Sequence, residues 1–155
     1  MKKVILYTDG ACSGNPGCGG YGAVLLYTDN ASKIHRKEIS GGDKQTTNNR
    51  MEILGVINGL NALKNPCQVE LYSDSKYVVD AINKGWAVRW RSNNWMRTKS
   101  DKALNPDLWE ILLNLLETHK VTFNWVKGHA DNAENERCDF LAREAIKAIK
   151  NGEEL

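Results

Sequence analysis

Hydrophobic residues change their spacing after about residue 42, and this change limits the folds that the chain can adopt. Short apolar runs at residues 4–9, 23–27 and 33–40 predict three strands, and residues 28–30 predict the turn between the last two. Beyond residue 42, apolar residues recur at helical spacing. We therefore expect an antiparallel meander followed by helices.

Two further strands are predicted among these helices. The first helix is expected to be capped by Thr46 or Thr47 and to end at Asn65-Pro66, followed by a strand at 69–73. We then expect a helix after Asp74-Ser75, an optional short helix, and a helix that is capped by the side chain of Asn105 and runs to about His119. A strand at 121–126 and a helix with its apolar stripe at 138–149 complete the chain. Because the two later strands follow helical crossovers, they are expected to be parallel. The predicted fold is α/β, with a five-stranded mixed sheet of three antiparallel and two parallel strands flanked by helices.

The length of 155 residues suits one domain, which we assign to residues 1–150 with a short polar tail at 151–155. With 41% hydrophobic and 26% charged residues, the composition is typical of a globular chain rather than a disordered one. No apolar run is long enough for a membrane span, and the N-terminal run is too short for a signal peptide. We expect a soluble, cytoplasmic protein that does not bind membranes.

The cysteines and two of the histidines predict no special chemistry. Four cysteines occur without zinc-binding spacing and are expected to be reduced thiols. A disulfide between Cys12 and Cys18 is the alternative, since the glycine-rich loop between them would permit it. We interpret His35 and His119 as surface histidines.

The net charge of +2 conceals an uneven distribution. Residues 84–102, which we call the basic segment, hold six basic residues, one acidic residue and three of the five tryptophans. Their local charge is +5, whereas the rest of the chain carries −3. This asymmetry indicates a polyanionic partner. A solvated basic face beside an aromatic cluster is the other interpretation.

Residues 17–22 match G-x-G-x-x-G, a pattern that can bind dinucleotides. That function requires the last glycine to open a helix, so that the pyrophosphate meets the helix N-terminus. Here Gly22 opens the predicted strand at 23–27, which has no helix cap. We therefore do not expect a nucleotide cofactor at this stretch.

Four acidic residues occupy positions where a solvated surface charge is not expected. Asp9 and Asp74 each end an apolar strand, Glu52 lies in the first turns of a helix, and Asp139 adjoins the apolar stripe of the last helix. Each alone can be a helix cap or a surface acid. If they converge, they require a divalent cation to ionise together, and oxygen ligands favour Mg²⁺ or Mn²⁺.

Five separated motifs resemble bacterial type 1 ribonuclease H, in that family's order along nearly the whole chain. They are Tyr7-Thr8-Asp9-Gly10-Ala11-Cys12 with Gly14-Asn15-Pro16-Gly17, Thr46-Thr47-Asn48-Asn49-Arg50-Met51-Glu52, Ser73-Asp74-Ser75, Trp125-Val126-Lys127-Gly128-His129-Ala130, and Asn135-Glu136-Arg137-Cys138-Asp139. The resemblance implies the ribonuclease H-like fold and an endonuclease that cuts the RNA strand of RNA–DNA hybrids without sequence specificity, leaving 3′-hydroxyl and 5′-phosphate ends.

The resemblance also implies the active site. The catalytic and metal-binding residues would be Asp9, Glu52, Asp74 and Asp139, holding two Mg²⁺ ions, with Mn²⁺ as a substitute and Asp9 as the bridging ligand. His129 would move protons or assist product release, which suits an imidazole whose ordinary pKa is near neutrality. A surface loop histidine is the alternative for His129. The resemblance implies a monomer with no obligatory protein partner.

Substrate contacts follow from the same motifs. The residues implied to bind the hybrid are Asn15, Thr47, Asn48, Asn49, Trp86, Arg89, Trp90, Arg91 and Asn105. The three amides of Asn15, Asn48 and Asn49 suit minor-groove base edges and 2′-hydroxyls. Thr47 and Asn105, which are also candidate helix caps, match a pocket for a phosphate of the DNA strand. Residues 86–102 match a basic protrusion that grips that strand.

Two departures from the family pattern are visible. Residues 91–94, Arg-Ser-Asn-Asn, carry one charge where relatives carry consecutive basic residues, which predicts a shallower salt dependence of binding. Lys76 stands where relatives often have glutamine. The alternatives to a ribonuclease are a non-catalytic hybrid-binding module, an oligomeric polynucleotidyl transferase of the same fold, and a dehydrogenase using residues 17–22.

Overall fold

Five strands and five helices make up residues 1–128 and 132–152, the part of the chain that our computed structural model describes. The strands are β1 (Lys2–Ser13), β2 (Gly17–Thr28), β3 (Ile34–Thr46), β4 (Cys67–Ser73) and β5 (Lys120–Trp125). The helices are α1 (Asn48–Asn61), α2 (Lys76–Asn83), α3 (Trp86–Ser92), α4 (Pro106–Thr118) and α5 (Ala133–Lys150). The element order is the predicted one, with α3 as the optional short helix.

The strands form one mixed sheet of order β3-β2-β1-β4-β5. Strands β1, β2 and β3 are antiparallel neighbours, whereas β4 pairs in parallel with both β1 and β5. The predicted fold class is therefore confirmed. In the parallel pair of β1 and β4, Thr8 lies opposite Ser73, so the residues that follow them emerge side by side.

Strands β1 and β2 extend much further into the glycine-rich stretch than predicted. Only residues 14–16 form the turn, and residues 17–22 belong to β2. A Cβ atom at Gly20 or Gly22 would overlap the carbonyl oxygens of Ala142 and Cys138 in α5. These two glycines therefore serve helix packing, because they let the backbone of α5 approach the sheet closely.

Helices α1 and α5 cover opposite faces of the sheet. Gly19 faces the start of α1, whereas its neighbour Gly20 faces α5, as the alternation of a strand requires. Trp109 of α4 is fully buried in the core, and its Nε1 donates to the Tyr77 hydroxyl at 3.1 Å. None of the helices in the described ranges is long and apolar enough to cross a membrane.

Two local predictions are wrong, and the alternative of a disulfide is excluded. Cys12 and Cys18 are free thiols on opposite faces of the sheet, with their sulfurs near the carbonyl oxygens of Thr46 and Ile146, so they cannot form a disulfide. His119 is buried rather than on the surface, and its Nδ1 accepts a hydrogen bond from the Cys67 amide at 3.1 Å.

The second wrong prediction concerns the start of α4. Asn105 occupies the cap position, but its backbone is left-handed, with φ of 62°, and its side chain makes no capping hydrogen bond. The Nδ2 of Asn105 donates to the Tyr77 hydroxyl instead, at 3.3 Å. Helix α5, by contrast, begins five residues before its apolar stripe because the Oδ1 of Asn132 accepts from the amides of Glu134 and Asn135.

Candidate active site

Asp9 and Asp74 lie side by side where the parallel pairing of β1 with β4 ends, with Asp9 inside β1 and Asp74 directly after β4. Their proximity follows from the register that pairs Thr8 with Ser73. Glu52 joins them from α1, and one carboxylate oxygen from each of the three lies within 4.8 Å of the others. The structure thus brings three of the four predicted acids together.

Gly10 determines where Glu52 sits. A Cβ atom at Gly10 would lie 2.6 Å from the Glu52 amide nitrogen, so only glycine lets α1 approach β1 this closely. The Gly10 amide donates to Oε1 of Glu52 at 2.5 Å and to Oδ1 of Asp9 at 2.9 Å. At the start of α1, the Oγ1 of Thr47 caps the helix by accepting from the Arg50 amide.

The cluster is electrostatically unfavourable without a cation. Burial, followed by the nearby charge of Asp74, raises the pKa of Asp9 to about 8. Burial and the charges of Asp9 and Asp74 also raise the pKa of Glu52 well above its usual range.

The donor atoms suit a hard divalent ion. Oε2 of Glu52 is buried and has no hydrogen-bond partner among the described residues. An orphaned carboxylate oxygen beside two other carboxylates is a ready ligand, and a set made only of oxygen donors fits Mg²⁺ or Mn²⁺.

Asp139 lies at the rim of the same site. It lines, with Asp9, Glu52 and Asp74, an open cavity of about 370 Å³. Its Oδ2 is paired with Nη2 of Arg143, one helical turn further along α5, at 2.8 Å. The fourth acid therefore faces the cluster, but it is engaged by its own helix rather than packed among the other three. His129 lies outside the described residues.

The three amide residues stand beside the carboxylates. Oδ1 of Asn15 accepts a hydrogen bond from the Asn48 amide at 3.1 Å, which ties the turn between β1 and β2 to the start of α1. Asn48 lines the acidic cavity, and Asn49 follows it in the helix. Asn15 and Asn48 are exposed, so their side chains are accessible beside the acidic cluster.

Thr47 and Asn105 are linked by Arg50, a residue that the sequence arguments did not single out. The amide of Arg50 is bonded to Thr47, and its Nη1 donates to Oδ1 of Asn105 at 3.3 Å. Its guanidinium also makes a two-pronged ion pair with Asp107, at 3.0 and 2.7 Å. The signal was its place within the Thr46–Glu52 motif, between two residues already assigned roles.

The basic segment contains the aromatic cluster of the second interpretation, with charged residues beside it. The rings of Trp86 and Trp90 lie 6.4 Å apart, and Trp90 packs edge-on against the buried Trp109. These indoles form an aromatic cluster, while Arg89 is exposed and Arg91 half-buried on the same helix. A cavity of about 490 Å³ opens beside the two indoles. Its lining includes Tyr77, Trp86, Arg89, Trp90, Arg97 and Leu104.

A mixed sheet of this order, with carboxylates where its two central strands stop pairing in parallel, defines a ribonuclease H fold. The solved structure of LC9-RNase H1, a type 1 RNase H with the type 2 active-site motif, superposes with a TM-score of 0.86 and 32% identity. The superposition covers 96% of this chain and 74% of that one.

The chain belongs to the RNase H family, whose model matches residues 1–147. It is 65% identical over 145 residues to the Ribonuclease H of Syntrophus aciditrophicus, which covers 94% of this chain and 81% of that protein. It is also 59% identical over 154 residues to the Ribonuclease HI of a Synechocystis strain, covering 99% of this chain and 92% of that one.

Proposed function

We propose that this protein is a Mg²⁺-dependent endonuclease that hydrolyses the RNA strand of RNA–DNA hybrids without sequence specificity. The observation that carries the proposal is the convergence of Asp9, Glu52 and Asp74 within 4.8 Å, with one carboxylate oxygen buried and unpartnered. Membership of the RNase H family supplies the substrate class. The products are 3′-hydroxyl and 5′-phosphate ends.

Asp9, Glu52, Asp74 and Asp139 would hold two Mg²⁺ ions, which would activate water and stabilise the leaving oxygen. Regular structure positions three of these residues, since Asp9 lies in β1, Glu52 lies in α1 and Asp74 directly follows β4. For Asp139 to bind a metal ion, its ion pair with Arg143 would be exchanged for a metal contact.

His129 acts as the proton carrier or assists product release. Its neighbours in the sequence support this role, since the described segment up to Gly128 runs beside Asp74. An imidazole near the cluster exchanges protons at neutral pH without competing with carboxylates for a hard cation.

The hybrid is held by two groups of contacts. Asn15, Asn48 and Asn49 read the minor groove beside the scissile strand, where the 2′-hydroxyl distinguishes RNA from DNA. Thr47 and Asn105, joined through Arg50, receive a phosphate of the DNA strand.

The basic segment, through Trp86, Arg89, Trp90 and Arg91, contacts sugars and phosphates further along the DNA strand. None of these contacts depends on base identity. The active unit is a single domain over residues 1–150, acting as a monomer.

The proposal is tested by incubating the protein with a hybrid labelled on its RNA strand, and in parallel with duplex RNA and duplex DNA of the same sequence. We expect Mg²⁺-dependent cleavage of the hybrid alone. Hybrid binding without any product would favour a non-catalytic module. Equal cleavage of the duplexes would contradict the hybrid specificity, and a multimer on a sizing column would favour an oligomeric transferase.

A further inference from the structure

Trp125, the last residue of β5, is attached to one of the proposed metal ligands through the backbone of that ligand. Its indole Nε1 donates to the carbonyl oxygen of Asp74 at 3.1 Å. Asp74 follows the last residue of β4, where the regular pairing with β5 ends at Ser73 opposite Trp125. The indole thus supplies a hydrogen bond to Asp74, the first residue after β4 that is no longer paired with β5.

The residues after Trp125 continue along Asp74. The Val126 amide donates to the Ser73 carbonyl at 2.9 Å. A Cβ atom on Gly128 would lie 3.2 Å from Oδ2 of Asp74, so the chain passes directly against this carboxylate. Residues 125–128 therefore contact Asp74 at both its carbonyl and its side chain.

The indole of Trp125 is not part of the hydrophobic core. Trp125 is 48% exposed, unlike Trp109, which is fully buried. The ammonium of Lys76, at the first position of α2, lies 5.4 Å from the Trp125 ring centroid. A large aromatic residue kept at the surface, with its one polar atom bonded to the carbonyl of Asp74, contributes orientation more than buried area.

We propose that Trp125 is a positioning residue for Asp74: its indole N–H fixes the peptide that follows β4 and so fixes the direction in which the Asp74 carboxylate points. The inference rests on the proposed role of Asp74 as a metal ligand. Removing a hydrogen bond that orients a metal ligand commonly weakens metal affinity ten- to a hundredfold. We expect removal of the hydrogen bond from Trp125 to Asp74 to have an effect of this size.

The test is the variant Trp125→Phe, which removes the N–H donor and keeps an aromatic ring at this position. Mg²⁺ is titrated calorimetrically into the protein without any nucleic acid, so that the readout does not depend on turnover. We expect the Kd for Mg²⁺ to rise roughly tenfold. In hybrid cleavage, the Mg²⁺ concentration for half-maximal rate should rise equally, while kcat at saturating Mg²⁺ and KM for the hybrid stay near wild type.

Asn124→Ala is the matched control, because it also removes a side-chain donor that links β5 to β4. Nδ2 of Asn124 donates to the Leu71 carbonyl at 3.2 Å and to Oε2 of Glu70 at 2.9 Å, and neither acceptor belongs to the carboxylate cluster. We expect this variant to bind Mg²⁺ with wild-type affinity. A Kd for Trp125→Phe within twofold of wild type, or an equal rise for Asn124→Ala, would overturn the positioning role. No Mg²⁺ binding by the wild-type protein would instead overturn the proposed function itself.

Discussion

The amide of Gly10 donates a hydrogen bond to Oε1 of Glu52, which joins the central strand β1 to the second turn of α1, 42 residues away in the sequence. This contact places the third carboxylate beside Asp9 and Asp74. It exists because residue 10 has no Cβ atom that would push α1 away from β1.

Replacing Gly10 by alanine should therefore both destabilise the fold and disrupt the metal cluster. The new Cβ atom would lie 2.6 Å from the Glu52 amide nitrogen and 2.7 Å from the Met51 carbonyl carbon. We expect Gly10→Ala to lower the free energy of unfolding by about 1–3 kcal/mol in urea titrations and to weaken Mg²⁺ binding.

The control for that substitution is Gly55→Ala, in the helix α1 that Gly10 contacts. A Cβ atom there meets its neighbours at 3.5 Å or more, which is ordinary contact. Because alanine is the better helix former, this variant should be neutral or more stable by up to about 1 kcal/mol. Equal losses in the two variants would contradict the role given to Gly10.

The ionised form of Asp9 should reduce the stability of the metal-free protein. Because the pKa of Asp9 is raised to about 8 in the fold, the protonated side chain stabilises the protein fully below the usual pKa of aspartate. This contribution is lost as the pH rises through about 8. In Mg²⁺-free buffer at pH 8, Asp9→Asn should be more stable than wild type by roughly 1–3 kcal/mol in urea titrations. The exposed Asp101→Asn serves as the control, and no gain at Asp9 would contradict the electrostatic account.

His119 should shape the pH dependence of stability on the acid side. Burial lowers the pKa of His119, so its contribution is full above the ordinary histidine pKa near 6.5 and is lost as the pH falls through the lowered value. In His119→Asn, an oxygen can replace Nδ1 as the acceptor from Cys67 without titrating. The loss of unfolding free energy between pH 7.5 and 5.5 should be smaller in this variant than in wild type. An unchanged loss would show that another group is responsible.

The sparse charge at residues 91–94 should limit how strongly hybrid binding depends on salt. Ser92 is exposed at the end of α3, where a lysine also suits the helix dipole. Ser92→Lys should tighten hybrid binding and steepen the slope of log K against log salt by about one, measured by fluorescence anisotropy in EDTA. Thr118→Lys, at the exposed end of α4, is the matched control. The same change in both variants would argue against a phosphate contact at this segment.

Much of this architecture is predictable from the sequence, for an identifiable reason. Two apolar strands that each end in an aspartate, one of them reached by a helical crossover, imply parallel neighbours whose acids meet at one edge. Asp9 and Asp74 do lie close together, although β1 continues past Asp9 to Ser13. The position of Glu52 depends on a close helix–strand approach at Gly10, which no periodicity reveals.

The remaining differences arise from packing that spacing does not encode. The glycines of β2 were expected in a loop because glycine favours turns, yet they lie in a strand because α5 presses against them. Cys12 and Cys18 are close in sequence, but the alternation of the strands sends their sulfurs to opposite faces. The ion pair of Asp139 with Arg143 is a helical neighbour contact that competes with convergence of all four acids.

The most direct test of the account compares cleavage of an RNA-labelled hybrid by wild type and by Asp9→Asn at saturating Mg²⁺, with folding of both verified by circular dichroism. The asparagine keeps the shape of the side chain and removes the charge that the proposed metal pair requires. We predict Mg²⁺-dependent cleavage by the wild-type protein and no detectable product from the folded variant. Full activity of Asp9→Asn would contradict the proposal that the carboxylate cluster is a metal centre.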